Sequence, residues 1–236
     1  MTTVAERRGD RRGDPAAEIG AGVLSRVASV VYWFVVIEAL LVLTTAPGLV
    51  ALVFLAGDAG NAPLIGLCFA PVGPALSAAI FAWRVFLNDR DLSPARHFWR
   101  GYRLNWLDVL RWWLPALAVL TVIGFSLANL GLAGVPAGYG LVLIVIAVAV
   151  LVWSAQALVL SSTLALRTRD TARLASYYLG ARPASALGLL SLLVAAGGLV
   201  VLTSDWVLAL LASPFTLALL RNADPVLRDA TERFTA

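Results

Sequence analysis

Side chains able to do chemistry are few in this chain, and their spacing closes off most site types. There is one cysteine, Cys68, and one histidine, His97. That excludes an intrachain disulfide, a cysteine metal cluster, a multi-histidine zinc site and an HExxH helix. All 18 basic residues are arginines, so no phosphate loop ending in Gly-Lys-Ser/Thr can form. No nucleophile–base pair and no paired carboxylates stand out, so neither enzymatic activity nor a cofactor or metal is expected.

The exception is Glu38, which sits inside a long apolar run. It lies about 18 Å from Arg26 along a helix rising about 1.5 Å per residue. A carboxyl group at that depth must be protonated, paired or turned to a wet cavity. One reading makes it an ion-coupling or substrate group. The other makes it a structural carboxyl bonded to a neighbouring helix, for instance through Gln156 or a serine. The remaining intramembrane polar residues, Asn129, Ser154, Gln156 and the Ser161–Ser162–Thr163 run, are uncharged.

The elements that must hold these residues are transmembrane helices. Hydrophobic residues make up 60% of the chain and mean hydropathy is +0.86, far above soluble domains. Runs of roughly 20 apolar residues cross a bilayer core of about 30 Å. Six such spans are expected: 27–55, 63–87, 114–132, 139–163, 185–203 and 206–221, the last two divided only by Ser204 and Asp205. The fold class is therefore all-α and polytopic.

Arginine placement sets the orientation. One side carries Arg7, Arg8, Arg11, Arg12 and Arg26, then Arg84 through Arg111, Arg167 through Arg182, and Arg221, Arg228 and Arg233. The opposite loops, near Gly57–Ala62, Gly131–Gly138 and Ser204–Asp205, have no basic residue. Both termini are thus expected on the cytoplasmic side. The net charge of +4 reflects that topology, and nucleic acid is not an expected partner. Residues 1–20, with the repeat RRGDRRGDP, read as a disordered basic tail, residues 21–222 as the membrane domain, and 223–236 as a mobile cytoplasmic tail.

Two segments carry local signals. PVGPALSA places Pro71, Gly73 and Pro74 within four residues, ahead of Ala75, Ser77, Ala78 and Ala79. Prolines break the amide ladder and small residues admit a close neighbour, so a kinked, tightly packed helix is expected. Ser93–Pro94 then opens a helix and Pro115 is expected to end it. Within 94–113, Phe98, Tyr102, Trp106, Val109 and Trp113 share one face, while Arg96, Arg100, Arg103 and Arg111 share another. The pattern predicts an amphipathic helix at the cytoplasmic membrane surface, anchored on lipid or docking a partner.

These two segments, PVGPALSAAIFAWR (Pro71–Arg84) and HFWRGYRLNW (His97–Trp106), resemble the YesL-like family of small bacterial membrane proteins. Gly73, Pro74 and Ala75 match its helix opening. Phe98, Trp99, Arg100, Gly101, Tyr102, Arg103, Asn105 and Trp106 match its second motif. The chain departs from the family in a longer Pro47–Ala70 stretch and an arginine-rich tail. The resemblance implies an accessory or assembly component of a carbohydrate ABC uptake system, with ABC permease subunits and the lipid bilayer as partners; it carries over no catalytic residue. In that role Phe98–Trp106 would dock and Gly73–Ala75 would pack. The alternative is an independent small-solute transporter or channel using Glu38.

Overall fold

The computed structural model describes residues 23–88, 93–134, 136–164 and 166–234, and every regular element among them is helical. The first helix, α1, runs Val23–Val53. A short 3-10 turn leads to α2 (Ala62–Cys68) and α3 (Val72–Asn88), followed by α4 (Pro94–Ala128). A single turn, Leu130–Ala133, precedes α5 (Ala137–Thr163). Then come α6 (Thr168–Ala181), α7 (Pro183–Leu202), α8 (Asp205–Leu210), α9 (Ala212–Asn222) and α10 (Asp224–Phe234).

Among the described residues, five helices are long and apolar enough to cross a bilayer: α1, the α2–α3 pair, α4, α5 and α7. Val35, Leu43, Leu141, Val145 and Val194 face outward, where acyl chains solvate them. The chain is an all-α polytopic membrane protein. Its expected basic tail, 1–20, lies outside the described residues.

Helix α3 is the hub. Gly73, Pro74, Ala75, Ser77, Ala78, Ala79, Ile80, Ala82, Trp83 and Phe86 are all buried, and α1, α4, α5 and α9 each pack against it. Its small residues let those neighbours close in, as the spacing predicts. The break before it is real. The second crossing stops at Cys68 and resumes at Val72, because Pro71 and Pro74 lack the amides a continuous ladder needs. A turn takes up the carbonyl Pro71 leaves free, Ala70 N–H donating to Leu67 O at 2.9 Å, and Val72 N–H donates to the neighbouring Phe69 O at 3.2 Å. Trp113 seals the break from α4, its Nε1–H donating to the same Phe69 carbonyl at 3.1 Å.

Three expectations are corrected. The amphipathic segment 94–113 is not a separate surface helix. It is the first half of α4, which continues through Pro115 for 35 residues. At about 1.5 Å per residue this helix is about 52 Å long and outreaches the hydrocarbon core. Pro115 is exposed, whereas Val109, Trp112, Ala116 and Leu117 form one buried stripe across it. Packing on that stripe holds the helix together where a proline alone predicts an end.

The sixth span is not one helix either. α8 and α9 meet at Leu211 (φ −112°, ψ 13°). Pro214, in the first turn of α9, has no amide to give Leu210 O, and its ring would strike that carbonyl. Finally, the expected C-terminal tail contains α10. Val226 and Ala230 are buried. Asp229 accepts hydrogen bonds from Tyr178 Oη at 3.0 Å and Arg182 Nη2 at 2.9 Å, tying α10 to α6.

The α3–α4 contact generates a prediction. A Cβ built on Gly101 would lie 2.7 Å from Phe81 Cβ, and one on Gly73 2.7 Å from the Trp113 ring. Phe81 Cβ cannot swing away, so Gly101→Ala must push the helices apart. Overpacking of this kind costs about 1–3 kcal/mol. Thermal unfolding in detergent should register that loss, and an unchanged midpoint would refute the close approach.

Candidate functional site

Glu38 meets the helix break between α8 and α9. The α1 face bearing Trp33, Ile37 and Leu41 is buried, and Glu38 lies beside it, half-buried. The Ser213 amide, in the first turn of α9, donates to Glu38 Oε2 at 2.7 Å. First-turn amides have no partner inside their own helix, and in lipid an unpaired one costs several kcal/mol. Glu38 therefore caps a helix end from outside. Its carboxyl group is thus bonded to another helix. The partner is a main-chain amide on the last broken span; Gln156 contributes no hydrogen bond through its buried Nε2. Glu38 Oε1 and the Ser213 hydroxyl have no hydrogen-bond partner among the described residues.

Beside this cap, towards the arginine-free end, lies an apolar cavity of about 550 Å³. Leu41, Phe69, Leu76, Val152, Leu189 and Phe215 line it, and Thr45 and Thr216 are its polar members.

The motif residues of α4 separate into two sets. Phe98 is fully buried, and Gly101 is buried against Phe81. Tyr102 and Asn105 are half-buried. Trp99 and Trp106 are 40% and 42% exposed, and Arg100 and Arg103 are exposed. The buried stripe runs Phe98, Gly101, Val109, Trp112, Ala116, offset from the aromatic stripe the spacing suggested. Aromatic identity drew the eye to Trp106, but the hole at Gly101 sets the phase. Gly73, Pro74 and Ala75 are buried in α3.

Asn105 belongs to a polar join inside the bundle. Its Nδ2 donates to Ser77 Oγ at 3.4 Å, and Ser162 Oγ lies 2.8 Å from Ser77 Oγ. Three crossings, α3, α4 and α5, are thereby linked through two hydroxyls and one amide. Arg84 closes the same end, its Nη1 donating to the Thr163 carbonyl at the end of α5. His97 stacks on Trp33, centroids 6.2 Å apart, within a cluster that includes Trp83 and Phe86.

Two functional groups escaped the reading of motifs. One is Ser213, which the adjoining Pro214 in an apolar run could have flagged as a helix start. The other is α6, whose Thr171, Ala175 and Tyr178 are buried at helical spacing. Its arginines were legible only as topology markers.

Residues 30–127 match a family described as "Protein of unknown function, DUF624", the family to which the YesL-like resemblance points. The match spans α1 from Val30 nearly to the end of α4, and so takes in Glu38, the proline break and the α3–α4 contact. No curated protein and no solved structure matches the chain.

The capping role predicts a graded response. Glu38→Ala removes the acceptor and should lower stability by about 1–3 kcal/mol. Glu38→Gln keeps an oxygen acceptor and should lose less than half of that. Thermal unfolding of both variants in the same detergent checks the order; equal losses would argue against a bond to Ser213.

Proposed function

We propose that this chain is a non-enzymatic membrane subunit with both termini in the cytoplasm, of the YesL-like type, serving as an accessory or assembly component of a carbohydrate ABC uptake system. The observation that carries the reading is the outward face of the first half of α4. Trp99, Arg100, Arg103 and Trp106 are exposed there, on a helix whose opposite stripe is locked into the bundle. Tryptophan and arginine are the side chains that most often anchor protein interfaces. The helix is longer than the hydrocarbon core is thick, so part of this face stands in the headgroup region or beyond it. The link to carbohydrate import rests on the family resemblance.

The docking set is accordingly Trp99, Arg100, Arg103 and Trp106, with Tyr102 at its edge. Phe98 and Asn105 serve the bundle instead. The transporter alternative asks Glu38 to bind a solute or ion, whereas Glu38 already holds the Ser213 amide and the adjoining cavity is apolar. The docking reading is therefore preferred.

The test is co-purification in mild detergent from the native host. Permease or ATPase subunits should co-elute in near-stoichiometric amounts, and Arg100→Glu with Arg103→Glu should abolish this while the protein still inserts. Retention of those subunits by the double variant would remove the docking face. Sugar uptake that falls with Glu38→Gln while the complex stays intact would favour the transporter instead.

A further inference from the structure

At the arginine-bearing end, α4, the end of α5 and the start of α6 enclose a cavity of about 860 Å³ that none of the roles above uses. Its lining holds four arginines, Arg111, Arg167, Arg169 and Arg173, against two aspartates, Asp108 and Asp170. Arg111 is already paired, its Nη1 lying 2.7 Å from Asp108 Oδ1. Arg167, Arg169 and Arg173 form no ion pair among the described residues. With Asp170 the one other carboxylate in the lining, the cavity keeps an excess of two positive charges (four arginines against two aspartates), and the mutual repulsion of its guanidinium groups is relieved when an anion binds between them.

We propose that this cavity binds a phosphate group. Guanidinium groups present paired N–H donors that match phosphate oxygens bidentately, and three of them can surround a tetrahedral anion. The floor is polar and hydrogen-bonded: Ser162 and Thr163 line it, as does Asn105 of the interhelical join. The start of α6 adds to the field. Its N-cap position is Arg167, whose side chain makes no capping hydrogen bond; the Asp170 amide donates back to Arg167 O, and the Thr168 and Arg169 amides before it remain for a ligand. The arginines carry the argument; the helix end supplements it.

The walls also include Phe81, Leu104, Leu164 and Leu166. A phosphate bearing an apolar or sugar substituent fits such a lining better than a bare ion. The group could arrive on a phospholipid headgroup or on a soluble phosphorylated compound, and both deliver the same chemistry to the same arginines. The site is independent of the docking face, with which it shares no arginine.

The experiment compares the intact protein with Arg167→Gln/Arg169→Gln/Arg173→Gln. A second triple variant, Arg221→Gln/Arg228→Gln/Arg233→Gln, removes the same charge on α9 and α10, away from the cavity, and controls for bulk electrostatics. Detergent-purified proteins are titrated with phosphatidylglycerol and phosphatidylcholine and scored by native mass spectrometry. In a second arm, proteins in phosphatidylcholine nanodiscs are titrated with inorganic phosphate and glycerol 3-phosphate and followed by thermal stability. Wild type should bind phosphatidylglycerol, or be stabilised by a soluble phosphate, and the cavity variant should bind that probe at least roughly tenfold more weakly, as expected for losing charge-assisted hydrogen bonds. The control variant should keep wild-type affinity. Preference for phosphatidylglycerol assigns the lipid source, and a response to glycerol 3-phosphate the soluble one. Equal loss in both variants, or no selective binding of any probe by wild type, overturns the proposal. Wild-type circular dichroism is required of each variant. If the triple variant misfolds, Arg173→Gln alone is read in its place, with a partial loss expected.

Discussion

Close approach of α3 and α4 is the contact on which the other elements depend. Lipid offers helices no hydrophobic reason to associate, so they hold together by packing and by hydrogen bonds that avoid unmet polar groups. Here both devices occur along one seam. Gly73 makes room for Trp113 and Gly101 makes room for Phe81, while Asn105 reaches Ser77. The seam fixes the orientation of α3, and α1, α5 and α9 are then arranged around the faces α3 leaves free. The family match ends within α4 and so covers this seam almost whole.

Breaks in the backbone are handled by the same rule. Two of the places where proline opens the ladder, before α3 and at the start of α9, are met by a side chain from another crossing. Trp113 donates to the carbonyl left near Phe69, and Glu38 accepts from the amide left at Ser213. The two cases are opposite in sign, a second donor for a carbonyl beside one break and an acceptor for an amide at the other. A carboxyl group in mid-membrane thus has a structural explanation before any solute is invoked.

Much of this was legible in the residues, for identifiable reasons. Apolar runs and arginine-free loops marked α1, the α2–α3 pair, α5 and α7, because span length and hydropathy are local properties. The proline–glycine opening of α3 was legible too, since it acts through its own backbone. What could not be read depended on partners distant in sequence. Pro115 looks like a terminator until the stripe from Val109 to Leu117 is seen to pack through it. Phe98 looks like an anchor until Gly101 is found against Phe81. The C-terminal segment looks like a tail until Asp229 meets Tyr178 and Arg182. Glu38 stands out in the sequence, but its partner lies 175 residues away, beyond any periodicity.

The Asp229 fastening has a consequence for how the protein is made. Asp229 follows every crossing in chain order, yet the helix it clamps, α6, stands between the fourth and fifth of them. During synthesis the spans can enter the membrane in turn while α6 waits at the surface, held by its own buried face alone. Its orientation is completed only when α10 leaves the ribosome and Asp229 reaches Tyr178 and Arg182. Maturation of the arginine-bearing end is therefore post-insertional, and a nascent chain halted after α9 would be integrated in the bilayer yet unfinished at that surface.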